Sequence, residues 1–439
     1  MPRLLLLASI GCLFVVAGVQ FGSSQETRTR NGADAKPFAK PASGSGGFIV
    51  GTPVRYKNLT IFPVLSKSEL NSDRFITLNE GLRAHTVEVL EMGARQRRSR
   101  SAIRDRRIPA AQTDTSQRTV PQSSRQTRPN DPEAIAPLTL VLVDAENEST
   151  NSNQVNRLLV VNRSDKPLYL MPGEVIVGGS QDRAIGEEMT IAPTGKPVPI
   201  DVFCVEHGRW GTRDAGQATR VLASLEPAAT PAEAESLGKE ATQDKFVVTA
   251  GSLSKVTREM VQSGEGQQAV WDSVAKANRA VNMRSSSGAF TFNYSDPKVL
   301  KRLQPYMKAL DETIAGQDRV VGAVVAINGK IESLDVFEST PLFRKLWPKL
   351  LKSHALDALS VSGQKGAAKR CDVADATAFL SNTLEGAARE TKTTKGGLVV
   401  TRREAKVGVC YSASAGAGKE GQGMGGGVGG SVHSAAYAH

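Results

Sequence analysis

Residues 203–211 read Phe-Cys-Val-Glu-His-Gly-Arg-Trp-Gly, so a thiol, a carboxylate, an imidazole, a guanidinium and an indole stand within nine positions. The crowding is informative because the 439-residue chain holds only 5 His, 4 Cys and 3 Trp. Thiolate, carboxylate and imidazole are all competent metal ligands, and Cys204 with His207 could form a nucleophile–base pair. The spacing weighs against both. Successive side chains of an extended segment face opposite ways, so Cys204 and Glu206 share one side while Val205 and His207 share the other. Gly208 permits a turn that lets Arg209 and Trp210 fold back.

A second segment, residues 171–188, places Glu174 before an apolar run that ends in Gly178-Gly179, with Gln181, Asp182 and Arg183 directly after. Paired glycines allow close approach of a backbone to a ligand or a neighbouring strand. The guanidiniums of Arg183 and Arg209 suit a bidentate clamp on phosphate or carboxylate. The competing role is structural, in buried ion pairs with Glu174 or Glu206 that are costly to break. Glu174, Glu206 and His207 are the candidate catalytic residues, the two carboxylates serving as an acid–base pair. Gln181, Asp182, Arg183, Arg209 and Trp210 are the candidate ligand contacts. Trp210 reads as core filler or as one wall of a pocket, ahead of exposed stacking on a ring ligand, and Trp271 and Trp347 read as core residues on helical faces. No cofactor is expected, and no CxxC pattern supports a metal site.

The run Gly173-Glu174 … Gly178, Gln181-Asp182-Arg183, followed by Cys204-Val205-Glu206-His207-Gly208-Arg209-Trp210, resembles the ADP-ribosylglycohydrolase and rhodanese-phosphatase-associated domain family. Gln268, Trp271, Gln317, Asn328-Gly329, Asp335 and Phe337 are similar in kind, and the resemblance spans roughly 48–360. That family has no established activity; its name implies at most a ligand of the ADP-ribose or phosphorylated-metabolite type. Two departures stand out. The family usually has Gln-Asn-Arg where this chain has Gln181-Asp182-Arg183, and often Gln where His207 stands.

The elements that must position these groups are strands and a few helices. Residues 47–64 read as one or two strands, 76–92 as a short helix leading into a strand, and 136–146 as a strongly apolar strand. Two or three strands fall in 157–179 and another in 197–206, whereas 213–265 is poor in apolar residues, with 227–243 reading as a flexible or weakly helical excursion. Helical periodicity covers 267–281 and 296–315, the second opened by Asp296 as N-cap and Pro297 in the first turn. Asn328-Gly329 between two β-rich runs predicts a two-residue hairpin. A helix capped by Ser339 or Thr340 follows, which Pro348 should kink or split. Beyond 362, a helix and a short hairpin over 397–414 complete the reading.

Charge and composition set the flanks. Between Ala94 and Arg128 ten arginines face two aspartates, which accounts for most of the net charge of +11. With little apolar periodicity, this stretch cannot offset the entropy of ordering and reads as a disordered insertion. Its other reading is docking on an anionic surface or polymer; with no interleaved aromatics it offers bases no stacking platform, and nucleic acid is not an expected partner. Arg3, the apolar run Leu4–Val19 and the small residues after it have the layout of a secretory signal peptide, with an uncleaved membrane anchor as the alternative. Of the cysteines left after cleavage, Cys371 and Cys410 are the pair expected to bridge.

The expected fold is therefore α+β: mixed, largely antiparallel β-sheets with a few packed helices. The expected divisions are a signal or anchor (1–24), a flexible tether (25–46), the main domain (47–361) with a disordered basic insertion (94–135), a small extension (362–412) and an unordered Gly-rich tail (413–439). The expected function is an exported ligand- or partner-binding domain for an anionic small molecule, its site built from the 178–183 and 204–210 segments. The alternative is a hydrolase acting on a phosphorylated or nucleotide-like substrate.

Overall fold

The computed structural model describes residues 47–92, 156–211, 213–225, 229–241, 245–364, 370–395, 397–415 and 431–439. The expected signal, tether, basic insertion and 136–146 strand lie outside the described residues. In chain order the elements begin with β1 (Phe48–Val50), β2 (Val54–Tyr56), β3 (Leu59–Ser66), β4 (Ile76–Thr77), α1 (Leu78–Arg83) and β5 (Val87–Glu91). Then come β6 (Arg157–Asn162), β7 (Leu168–Leu170), β8 (Glu174–Gly178), β9 (Arg183–Ile185), β10 (Met189–Ile191) and β11 (Pro197–Cys204). The helical stretch holds α2 (Ala215–Leu225), α3 (Pro231–Ala241), β12 (Lys245–Ser252), α4 (Lys255–Ser263), α5 (Gln267–Ala280) and α6 (Pro297–Ala315). The chain ends with β13 (Val320–Ile327), β14 (Lys330–Phe337), α7 (Thr340–Ser360), α8 (Val373–Leu384), β15 (Ala388–Lys395), β16 (Leu398–Ala405), β17 (Gly408–Ala415) and β18 (Ser431–Ala438).

These make an α+β fold with one parallel pairing, β4 with β7. A nine-stranded antiparallel sheet runs β1-β3-β13-β14-β18-β17-β16-β15, with β2 also on β3. Strands β11-β6-β5-β12-β8-β9 close into a barrel, and β10-β7-β4 form a small third sheet. Every residue of β13 is buried, because both faces of the large sheet are covered. Ala323 and Val325 pack in the main core with Leu346, Trp347 and Leu350 of α7. Val324 and Ala326 pack in another cluster with Phe379 and Leu380 of α8. The barrel is filled by its own apolar set, including Val89, Val160, Ile176, Ile200 and Phe246.

Local signals read well where they are strong. Asn328 and Gly329 take φ of 51° and 84° at the β13–β14 turn, as a two-residue hairpin requires. Asp296 accepts from the Lys298 and Val299 amides at the start of α6, and Ser339 from Leu342 at the start of α7. Four expectations are corrected. α7 runs unbroken for 21 residues through Pro348, since packing on the main core outweighs one missing amide. The stretch 213–265, read as poor in core-forming residues, is built of regular elements: α3 covers most of the expected excursion, α2 and α4 flank it, and β12 is a barrel strand paired to β5 and β8. The tail is not unordered throughout: β18 lies between β14 and β17, so the stretch set apart as a small extension continues the large sheet. Cys371 and Cys410 form no disulfide; both are free thiols, as is Cys204. Among the described residues no helix is long and apolar enough to cross a membrane.

Candidate functional site

β8 ends at a corner where it cannot carry a side chain. A Cβ on Gly178, at φ +142°, would sit 2.0 Å from the Lys245 carbonyl oxygen, and one on Gly179 2.8 Å from the Phe246 ring. The glycine pair therefore serves close approach to β12. From this corner the chain turns through Gln181 and Asp182 into β9, whose Arg183 pairs in register with Cys204 of β11. The Val205 amide donates to Asp182 O at 3.1 Å. The two sequence segments thus meet, as strand pairing demands.

At the meeting point lies a ring of buried charges. Asp182, fully buried, accepts from Arg213 Nη1 and Nη2 at 2.8 and 2.7 Å, from Thr291 Oγ1 at 2.5 Å and from Arg209 Nη2 at 3.3 Å. Glu206, 1% exposed, pairs with Arg209 at 2.7 Å and Arg213 at 3.2 Å and accepts from the Asp182 amide at 3.2 Å. Burial pushes the Asp182 carboxyl up, but the guanidiniums of Arg213 and Arg209 and the Thr291 hydroxyl hold it below its ordinary value. Burial likewise opposes the charge on Arg213, and the two carboxylates outweigh it and raise that group. Arg209 spends its remaining donors on the carbonyls of Gly179 and Gly211, at 2.7 and 2.6 Å.

Gln181 donates to Glu206 O at 2.9 Å and accepts from Arg183 Nη1 at 3.2 Å, while Arg183 Nη2 reaches Glu91 at 3.5 Å. Gln181, Asp182, Arg183 and Arg209 are thus committed to one another, to the backbone and to Glu91. Of the ion pairs weighed for the arginines, Arg209 makes the one with Glu206, whereas Arg183 faces Glu91 rather than Glu174 or Glu206. Arg213, not among the candidates drawn from the sequence, joins the same two carboxylates as Arg209 and grips Asp182 with both Nη atoms. Its only sequence mark is its place two residues after Gly211.

Glu174 is elsewhere. It opens β8 while the charge ring closes it, about 13 Å along a four-step strand, and it pairs with Lys349 of α7. Glu174 and Glu206 thus belong to different buried ion pairs at opposite ends of β8. Cys204 sits buried with its backbone clasped by Gln267, which accepts from the Cys204 amide at 2.9 Å and donates to its carbonyl at 2.8 Å. Burial pushes its thiol up, away from the thiolate a nucleophile needs. Among the described residues no group of His, Cys, Asp and Glu has the arrangement of a metal site.

His207 and Trp210 face outward. The His207 ring stands edge-on to Trp271, centroids 4.4 Å apart at 89°. Trp271 is half-buried rather than core, unlike Trp347 at 1% exposure. Trp210 is 64% exposed, so it is not the core filler that was one expectation for it. His207 and Gly208 open a groove of about 490 Å³ whose other side is α5 and the loop 283–288. The Gly208 amide donates to Ser287 O at 2.8 Å, tying the loop to the charge-bearing segment.

A further buried polar chain lies apart from this corner. Tyr169 donates to Glu188 at 2.6 Å, and Glu188 meets His433 Nδ1 at 3.0 Å. His433 Nε2 reaches Asp335 at 3.2 Å, and Arg258 donates to Asp335 at 2.8 Å. It ties β18 to β14 and to the segment before β10, and nothing in the composition of 431–438 announced it.

A search of the curated proteins and one of the solved structures gave no match to the chain. Residues 133–417, more than half of the sequence and reaching past the expected limit at 360 to the end of β17, match the ARG and Rhodanese-Phosphatase-superfamily-associated Protein domain, ARPP-1, and the chain belongs to that family.

Proposed function

We propose that this chain is an exported binding domain in which the 178–183 and 204–213 charges are the frame, and His207, Trp210 and the adjoining groove are the contact surface for an anionic small molecule. The observation that carries this reading is an indole 64% exposed on a loop that is bolted down around it. Arg209 bonds the carbonyls of Gly179 and Gly211, the Gly211 amide donates to Ser180 O at 3.2 Å, and Gly208 is held by Ser287. A tryptophan held rigidly in water is poor use of a large apolar ring unless something covers it, and rigid aromatics are the groups on which binding energy concentrates. The apolar run Leu4–Val19 behind Arg3 supports export.

The test is a thermal-shift screen against nucleotides, ADP-ribose, sugar phosphates and divalent metals, repeated on Trp210→Ala and His207→Ala. Both side chains are exposed, so both variants should melt as the parent does while losing the shift. A ligand that stabilises all three proteins equally would overturn the reading.

A further inference from the structure

The groove beside His207 is two-ended. Its α5 wall is a single stripe at helical spacing, running from Gln268 through Trp271 and Asp272 to Arg279. At 1.5 Å per residue the step from Trp271 to Arg279 is about 12 Å. One end is aromatic, with His207 edge-on to Trp271. The other is cationic: Arg279 and Arg284 both line it, both are exposed, and neither makes an ion pair among the described residues. Its floor is the serine loop, where Ser285 and Ser287 hydroxyls lie 3.2 Å apart and Asn278 holds the Gly288 carbonyl at 3.1 Å. Asp272, which accepts from Gln268 at 3.0 Å, adds a carboxylate next to the aromatic end. A negative group is repelled there and drawn to the arginines, so the groove has a direction.

Resting on the binding reading above, we infer that the groove takes an elongated ligand with a flat ring at the His207–Trp271 end and a phosphate or pyrophosphate at the Arg279–Arg284 end, the chemistry of a nucleoside diphosphate. The volume of about 490 Å³ falls within the range of small-molecule sites. Guanidiniums present their donors in a fork that matches phosphate oxygens, and two of them line this groove. The ring contributes edge and face contacts with little ordering cost.

Isothermal titration of the intact protein with the four ribonucleoside diphosphates, their nucleosides and pyrophosphate separates the ends. At least one diphosphate should bind tenfold or more tightly than both its nucleoside and pyrophosphate. Arg279→Gln with Arg284→Gln should lower that affinity at least tenfold, leave the nucleoside unchanged and leave the melting temperature in place. A diphosphate affinity that stays within twofold in the double variant, or pyrophosphate binding as tightly as the diphosphate, overturns the inference. If no diphosphate binds but another screened compound does, and Trp210→Ala abolishes it, the inference falls and the broader reading stands. If no compound binds at all, both fall.

Discussion

Arg213 closes both prongs of its guanidinium on Asp182, at 2.8 and 2.7 Å, and the same Nη2 reaches Glu206 at 3.2 Å. Removing one partner of such a buried set strands the others. Arg213→Met should therefore cost about 3–5 kcal/mol, read as a lower urea midpoint with an unchanged slope. Asp182→Asn should also destabilise, since a neutral amide keeps one acceptor but leaves Glu206 as the single carboxylate facing Arg213. Losses below about 1 kcal/mol in both variants, the range of exposed pairs, would refute a framing role for the ring. The same logic bears on hydrolysis: Glu206→Gln should lower stability, so lost turnover in that variant would be no mark of catalysis.

Gly178 is a second structural pin. Its φ of +142° and a Cβ position 2.0 Å from Lys245 O leave no room for any side chain without moving β12. Gly178→Ala should be among the most damaging single changes, above about 3 kcal/mol, because positive-φ strain and a backbone clash add. Gly264→Ala, also at positive φ but with nothing within 4 Å, isolates the conformational part and should cost about 1 kcal/mol. Equal losses in the two would remove the close-approach argument. Thermal unfolding with far-ultraviolet dichroism distinguishes them.

What could be read from residues alone follows how local each signal is. The Asn328-Gly329 turn and the caps Asp296 and Ser339 depend on neighbours within a few positions, and all three formed as read. β12 was invisible because its partners β5 and β8 lie far back in the chain, and the two register shifts along β8 blur its alternation. β18 was invisible for another reason: Ser-Val-His-Ser-Ala-Ala-Tyr-Ala is too small and polar to look like a central strand, and it is placed by pairing with β14 and β17, far back along the chain or across the Gly-rich stretch. Asp182, Arg183, Glu206 and Arg209 stand out in the sequence, and their segments are expected to meet; Arg213 does not stand out, because no motif surrounds it. Which carboxylate each arginine meets is not legible either, since composition does not name a partner. Trp210 is the converse: a residue type that implies core, exposed because Arg209 fixes the loop.

The three free thiols among the described residues are ranked by access. Cys371 is half-buried, while Cys204 and Cys410 are buried. Burial pushes Cys410 up to about 11, and thiolate fraction controls alkylation. In native protein at pH 8, iodoacetamide should modify Cys371 first and leave Cys204 and Cys410 intact until unfolding, as read by peptide mass spectrometry. A mass two units low, with Cys371 and Cys410 both protected, would restore the bridge that the structure lacks.

His433 makes alkaline pH the informative direction for stability. Burial pulls its imidazole down, but Glu188 and Asp335 on its two nitrogens outweigh this and raise it to about 9. A value raised above the ordinary 6.5 means stabilisation that is complete below about pH 6.5 and lost as pH climbs through 9. The shift corresponds to on the order of 3 kcal/mol. Tyr169 and Arg258 face the same carboxylates, on Glu188 and Asp335 respectively, and both stay in one protonation state across this window, their values being raised. Lys352, held down to about 8 by burial, titrates in the same range with the opposite sign, so the imidazole must be read as a difference. Urea midpoints from pH 6 to 10 for the parent and for His433→Asn should lie far apart at pH 6 and converge by pH 10. Because β18 is the strand that His433 anchors, amide exchange of residues 431–438 should quicken over the same pH range beyond its intrinsic rise. A constant gap between the two proteins at all pH values would mean that the ring is neutral and held by shape alone.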